Sequence, residues 1–164
     1  MLTVLSNWRG YLELTKPGVQ ALLFVSCVSG MLIGADFNPP ITVLVFGLIG
    51  ISFLAASSAV INHFFDQKID AKMNRTSSRP LVIGDISSQH AIIFSILLYV
   101  SGSLMLLNFT NFLTWLLTTL TFIFYGFIYT RYLKFMTSQN IVIGGLAGAM
   151  PPLLGWTAVT NTIE

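Results

Sequence analysis

Residues 41–70 read ITVLVFGLIGISFLAASSAVINHFFDQKID, and this stretch decides the fold. From about Ile41 to Phe65 it is apolar for the length that crosses a hydrocarbon core, which needs about 20 residues as a helix. It then runs directly into Asp66 and Asp70. Four more stretches of the same kind lie on either side: about Val19 to Ala35, Ala91 to Leu107, Phe112 to Tyr132 and Ile141 to Val159. Charged residues make up 9% of the 164-residue chain. Soluble domains carry about 25%, so a chain this poor in charge cannot cover its apolar surface in water, and a bilayer removes the need. The expected fold is an all-α, polytopic membrane helical bundle in a single domain over 1–164.

The links follow from the same reading. Asp36 to Pro40 and Asn108 to Asn111 are short and rich in Asn and Pro, which stop one helix and start the next. Residues 66–90 form the one long polar segment. All eight Lys and Arg fall in three places: Arg9 and Lys16; Lys68, Lys72, Arg75 and Arg79; Arg131 and Lys134. With alternating spans these share one face, and the positive-inside rule makes it cytoplasmic, with the N-terminus inside and Glu164 outside. The first span is too long for a signal-peptide core and lacks a small-x-small cleavage site. Cys27 stands alone, so no disulfide forms within the chain. The small net positive charge is local loop charge and gives no ground for a nucleic-acid partner.

Continuing the second helix through NHFFDQKID places Asn62, Asp66 and Asp70 at i, i+4 and i+8. At 3.6 residues per turn they spread over about 80° of one face. Two carboxylates and a carboxamide are hard oxygen ligands. They suit Mg²⁺, which takes one or two carboxylates and fills its other positions with water and phosphate oxygens. Asp70, taken alone, reads equally well as an ordinary aspartate where a helix meets water. Asn62 and Asp66 lie at or inside the boundary, where polar groups are costly and mostly functional.

The segment RTSSRPL, Arg75 to Leu81, adds two guanidiniums four residues apart. Arg presents a planar fork of donors to phosphate. Acids followed by arginines meet the needs of a metal-bridged diphosphate, whereas single basic residues in such a loop face lipid headgroups. In Tyr129 to Asn140, Lys134 could add charge to the same pocket and Tyr129 a hydrogen-bond donor; on the residues alone both also fit an interfacial belt. The last span, rich in Gly and Ala, allows close helix contact. Pro151-Pro152 within it implies a kink or break. His63, about 100° round the helix from Asn62, reads as a lipid-boundary or packing residue, and so does His90.

The series Asn62-x-x-x-Asp66-x-x-x-Asp70-x-x-Met73-x-Arg75-Thr76-x-x-Arg79-Pro80-Leu81 resembles the first aspartate motif of the intramembrane aromatic prenyltransferases. Leu14-Thr15-Lys16-Pro17 and NIVIGGLAGAMPPLLGWT, Asn140 to Thr157, are similar to the branch of that family that farnesylates protoheme, the heme O synthases. The resemblance covers nearly all of the chain. It implies a bundle of about nine helices around a cavity, in a bacterial cytoplasmic membrane. The implied activity joins the farnesyl group of farnesyl diphosphate to a vinyl group of heme B, with water adding, to give heme O. Asn62, Asp66 and Asp70 would be the catalytic set holding Mg²⁺ through diphosphate, and Lys16, Arg75, Arg79, Lys134 and Tyr129 would meet the diphosphate. A functional contact with heme A synthase or with terminal oxidase assembly is implied in the same way.

Three features depart from the family pattern. Gly18 stands where Arg is common, and Phe135-Met136 replace a more basic stretch. The chain also ends after the fifth span, whereas members are nearly twice as long and carry a second aspartate motif. The expectation is an N-terminal portion that is inactive by itself. Two other functions fit the residues: prenylation of a different aromatic acceptor such as a quinone precursor, and a transporter fragment whose boundary acids line a path.

Overall fold

A computed structural model describes residues 7–136 and 139–163, with no side-chain description for Phe135. Glu164, expected on the far side of the membrane, lies outside the described residues. A short helix α1, Trp8–Leu14, precedes the first span. The five spans are α2, Pro17–Gly34; α3, Val43–Asp70; α5, Ser88–Phe109; α6, Phe112–Leu133; and α7, Asn140–Thr160. A single turn of helix, α4, Pro80–Ile83, sits in the long link between α3 and α5. All five expected spans are present, and no strand occurs among the described residues.

The main boundary difference is at the end of α3. The helix continues to Asp70, so Asp66 and Asp70 stand on a helix, and the polar link begins after them. Of the kink or break expected in the fifth span, the break does not occur: α7 is one helix through Pro151 and Pro152. Proline frees the carbonyls four residues earlier, and those belong to Ala147 and Gly148, both of which line a cavity. A proline is tolerated in a spanning helix where a cavity or neighbour takes the freed groups.

Helix α3 is central. In its most apolar stretch 61% of the residues are buried, against 17% for α2, α5 and α6 and 28% for α7. It packs most extensively on α5, while α2 packs on α7. Small residues allow both approaches, as is usual where lipid supplies no hydrophobic drive between helices. A Cβ on Gly102 of α5 would lie 2.9 Å from the Gly50 carbonyl oxygen of α3. Nearby, the Ser57 and Ser95 hydroxyls lie 2.8 Å apart across the same pair of helices. Between α2 and α7 the backbones are closer: a Cβ on Gly155 would fall 2.0 Å from the Cys27 carbonyl oxygen. Cys27, Met31, Ile51, Leu54, Leu106 and Leu154 form the core where these helices meet. Val25, Leu97 and Leu104 are exposed on the outer faces of α2 and α5.

A second cluster, Leu14, Val60, Leu81, Ile86 and Ala91, ties α1 and the α3–α5 link onto the polar end of α3. Gln67 donates to the Leu81 carbonyl at 2.6 Å, and Asn7 to that of Asp85 at 2.7 Å. Gly84, at φ 83, closes α4 in the left-handed region that glycine enters freely. At the other end of the bundle Asn111 accepts from the Thr114 backbone N–H at 2.8 Å, capping α6. Its amide also donates to the Thr157 carbonyl of α7 at 2.7 Å.

Candidate diphosphate site

Asn62, Asp66 and Asp70 are 5%, 4% and 4% exposed, on the face of α3 that the arithmetic of the helix assigns them. Three cations from three other parts of the chain meet them. Lys134, just after α6, donates to Asp66 Oδ1 at 2.9 Å. Arg79, in the link, pairs with Asp70 Oδ2 at 2.5 Å. Lys16, at the entry to α2, donates to Asn62 Oδ1 at 2.5 Å and to the Tyr125 hydroxyl at 3.3 Å. The Asn62 amide in turn donates to Asp66 Oδ2 at 3.0 Å and to Thr130 Oγ1 at 3.1 Å.

Lys16 is held there at the expense of backbone strain. It sits at φ 54, ψ 65, a left-handed conformation that costs a non-glycine residue about 1–3 kcal/mol. That turn separates α1 from α2 and leaves the lysine side chain directed at Asn62 and Tyr125. Burial, and next the Arg79 charge, pull its ammonium down to about 8, only partly offset by Asp66 and Asp70.

The second half of α6 explains how Tyr125 and Lys134 reach one site. From Phe124 to Leu133 it winds as a π-helix. In an α-helix, nine positions apart is half a turn off, on opposite faces. The wider π turn, with about 4.4 residues in the i→i+5 pattern, brings the two back within about 20°. The Thr130 hydroxyl, inside this segment, also donates to the Tyr125 carbonyl, five residues back, at 2.8 Å.

Lys16, Asn62, Asp66, Asp70, Arg79 and Lys134 are therefore brought together in space. Tyr129 lies beside them, stacked on Tyr125 with centroids 5.7 Å apart and planes 9° apart. Arg75 is exposed on the link and makes no hydrogen bond or ion pair with a described residue, while Arg79, four residues on, turns inward. Tyr125 and Thr130 were not singled out in the sequence, and Thr76 entered only as a member of the motif. Thr76 donates to the Asp70 carbonyl at 3.1 Å and so fixes the turn that delivers Arg79. His63 is 3% exposed, a packing residue inside the bundle, and neither ring nitrogen has a hydrogen-bond partner among the described residues. Its azimuth is about 20° from that of Asp70, two turns away. His90 instead meets the Ser87 cap of α5, 3.1 Å from its hydroxyl.

Lys16 and Tyr125 also line a cavity of about 350 Å³. Its other walls are mainly apolar: Leu22 and Leu23 from α2, Ile51 and Leu54 from α3, Phe122 from α6 and Leu154 from α7. The volume lies within the range of small-molecule sites, about 300–1,000 Å³. A polar, charge-dense head thus opens onto an apolar body.

Comparison with known proteins agrees with this architecture. The chain is 53% identical over 158 residues to protoheme IX farnesyltransferase 2 of Pseudoalteromonas atlantica, covering 96% of this chain and 52% of that protein. With protoheme IX farnesyltransferase of Hahella chejuensis it shares 49% over 162 residues, 99% of this chain and 54% of the other. It therefore spans about half the length of these relatives. A solved structure of digeranylgeranylglyceryl phosphate synthase superposes with a TM-score of 0.84 at 25% identity, over 99% of this chain and 56% of that one. A UbiA homolog from Archaeoglobus fulgidus, solved with GPP and Mg²⁺, shares the fold with a TM-score of 0.73 at 23% identity, over 92% and 54%. Residues 23–164 match the family directly, and the chain belongs to the UbiA prenyltransferase family.

Proposed function

We propose that this chain carries the diphosphate-binding half of a Mg²⁺-dependent heme farnesyltransferase, which transfers the farnesyl group of farnesyl diphosphate to a vinyl group of heme B. The observation that carries this is the joining of two buried carboxylates and three cations to an apolar cavity through Lys16 and Tyr125. Identity near 50% to proteins named protoheme IX farnesyltransferase supports the choice of substrates.

The donor set fits Mg²⁺ in a specific way. Asn62, Asp66 and Asp70 offer hard oxygens from one helix face, and no group of three or more acids, histidines or cysteines forms a cage among the described residues. That suits an ion which takes most of its ligands from phosphate and water. Bound there, Mg²⁺ would neutralise charge building on the leaving diphosphate. Lys16, Arg79 and Lys134 take the remaining phosphate oxygens, with Arg79 offering a fork of donors; Tyr129 lies beside them on Tyr125, and Arg75 would have to turn inward from the link to join them. Breaking the C–O bond leaves diphosphate in this polar head and an allylic cation in the apolar body, where water is scarce. The vinyl group supplies the electron pair for the new C–C bond. Water adds to the adjacent carbon and a proton leaves, giving the hydroxyethylfarnesyl group of heme O.

In this reading the polar end of the bundle faces the cytoplasm, in a bacterial inner membrane. The product passes to heme A synthase or to terminal oxidase assembly. The test is product analysis in membranes of a host lacking heme O. Co-expression with the half of the P. atlantica relative that this chain does not cover should restore heme O, and the chain alone should give none. The Asp66→Asn, Asp70→Asn pair should abolish it. Prenylated hydroxybenzoate in place of heme O would move the reading to a quinone precursor, and heme O from the double variant would remove the site assignment.

A further inference from the structure

Four of the five oxygens proposed to receive a metal are already engaged. Asp66 Oδ1 accepts from Lys134 at 2.9 Å and Oδ2 from the Asn62 amide at 3.0 Å. Asn62 Oδ1 accepts from Lys16, and Asp70 Oδ2 from Arg79, each at 2.5 Å. Of the six donor and acceptor atoms on these three side chains, Asp70 Oδ1 is the one with no hydrogen bond to a described residue. Both carboxylates are 6% exposed at the side chain, so bulk water cannot readily replace a cation that leaves.

A divalent cation arriving alone meets carboxylates that are each paired, beside three positive side chains. Diphosphate arriving alone meets two cations committed to carboxylates, a third held by Asn62 and Tyr125, and two buried negative charges. Breaking either buried pair without a replacement partner is strongly unfavourable. When both arrive, the exchange is even: Lys16, Arg79 and Lys134 move to phosphate oxygens, and the Asn62, Asp70 and Asp66 oxygens they release can receive the metal. We propose that these ion pairs are a lock, which excludes the metal alone and makes metal and diphosphate binding mutually dependent. This rests on the diphosphate site proposed above and assigns Lys134 and Arg79 two successive partners. A benefit follows from the chemistry: no bare metal sits beside the apolar cavity to activate water before the prenyl group is in place.

The lock makes a prediction that simple damage to a binding site does not. Lys134→Met frees Asp66 Oδ1 while removing one phosphate partner, so affinity for metal alone should rise as affinity for metal plus diphosphate falls. The probes are Mn²⁺, counted by the EPR signal of the free ion, and inorganic diphosphate, titrated by calorimetry into the full chain in detergent. The unaltered protein should bind Mn²⁺ alone at least 100-fold more weakly than in saturating diphosphate. Linkage requires Mn²⁺ to help diphosphate by the same factor. Lys134→Met should gain about 10-fold for Mn²⁺ alone, and Lys134→Arg, which keeps the charge, should not. Equal losses of both ligands in Lys134→Met, or no gain for Mn²⁺, would overturn the lock while leaving the site standing. Absence of diphosphate binding to the unaltered protein under every metal condition would instead remove the site, and the lock with it.

Discussion

Replacing Gly155 by Ala tests the joint on which the cavity depends. The added Cβ would fall 2.0 Å from the Cys27 carbonyl oxygen and 2.9 Å from its carbon. Carbon and oxygen settle at about 3.3 Å, so α2 and α7 must separate by about 1.3 Å. The clash is with backbone, which has no rotamer to relieve it, and overpacking then lies at the upper end of its usual cost, about 3 kcal/mol. Alanine returns about 1 kcal/mol through helix propensity, leaving a net loss of about 2 kcal/mol. For a chain of this size that lowers the thermal midpoint by about 4–8 °C. Gly148→Ala is the control. It lies on the same helix, and its Cβ would meet nothing within 4 Å, so it should hold or gain stability. The assay is calorimetric unfolding of the two variants side by side in one detergent. Their difference, about 3 kcal/mol, isolates the packing term. Equal midpoints would falsify the close backbone approach and with it this account of the cavity wall.

Three further outcomes follow. Lys16 is protonated below about 8 in the folded protein and keeps its proton to 10.5 when unfolded. Diphosphate affinity should therefore fall as pH rises through about 8, while stability rises from there towards 10.5 because the unfolded chain then binds more protons. Calorimetric titrations across that window should show both trends, and Lys16→Met should flatten them. Asn111→Ala removes both the α6 cap and the donor to Thr157, and should cost about 2–3 kcal/mol. Asn111→Asp keeps the cap and should recover about half, as read from thermal midpoints. His63→Leu removes a buried imidazole with no partner on either nitrogen, so stability should be unchanged or higher. A loss above 1 kcal/mol in the same assay would show that the ring has a partner in the native membrane.

Much of the protein was legible in its residues because two of its constraints are local. A bilayer demands about 20 apolar residues per helix, and each of the five runs meets that demand without reference to any other part of the chain. A helix fixes its own periodicity, so Asn62, Asp66 and Asp70 share a face wherever α3 is placed. The same arithmetic, applied from Asn62 alone, set His63 aside, although its azimuth falls close to that of Asp70. A family resemblance named the cations, yet nothing local separates Arg75 from Arg79. The Thr76 bond to the Asp70 carbonyl turns one inward and leaves the other in solvent.

Which cation meets which acid was decided only in three dimensions. Lys134 and Asp66 are 68 residues apart and Lys16 and Asn62 are 46 apart. No periodicity connects separate helices. Their relative rotation is set by how closely backbones approach at Gly30, Gly50, Gly102 and Gly155, and by the π winding that turns Tyr125 and Lys134 to one side. Residues 41–70 thus determined a membrane helix with three oxygen donors in line. The packing of α2, α6 and the α3–α5 link around it decided that those donors are buried and paired with cations, because charge buried in a bundle is stable only beside its partner.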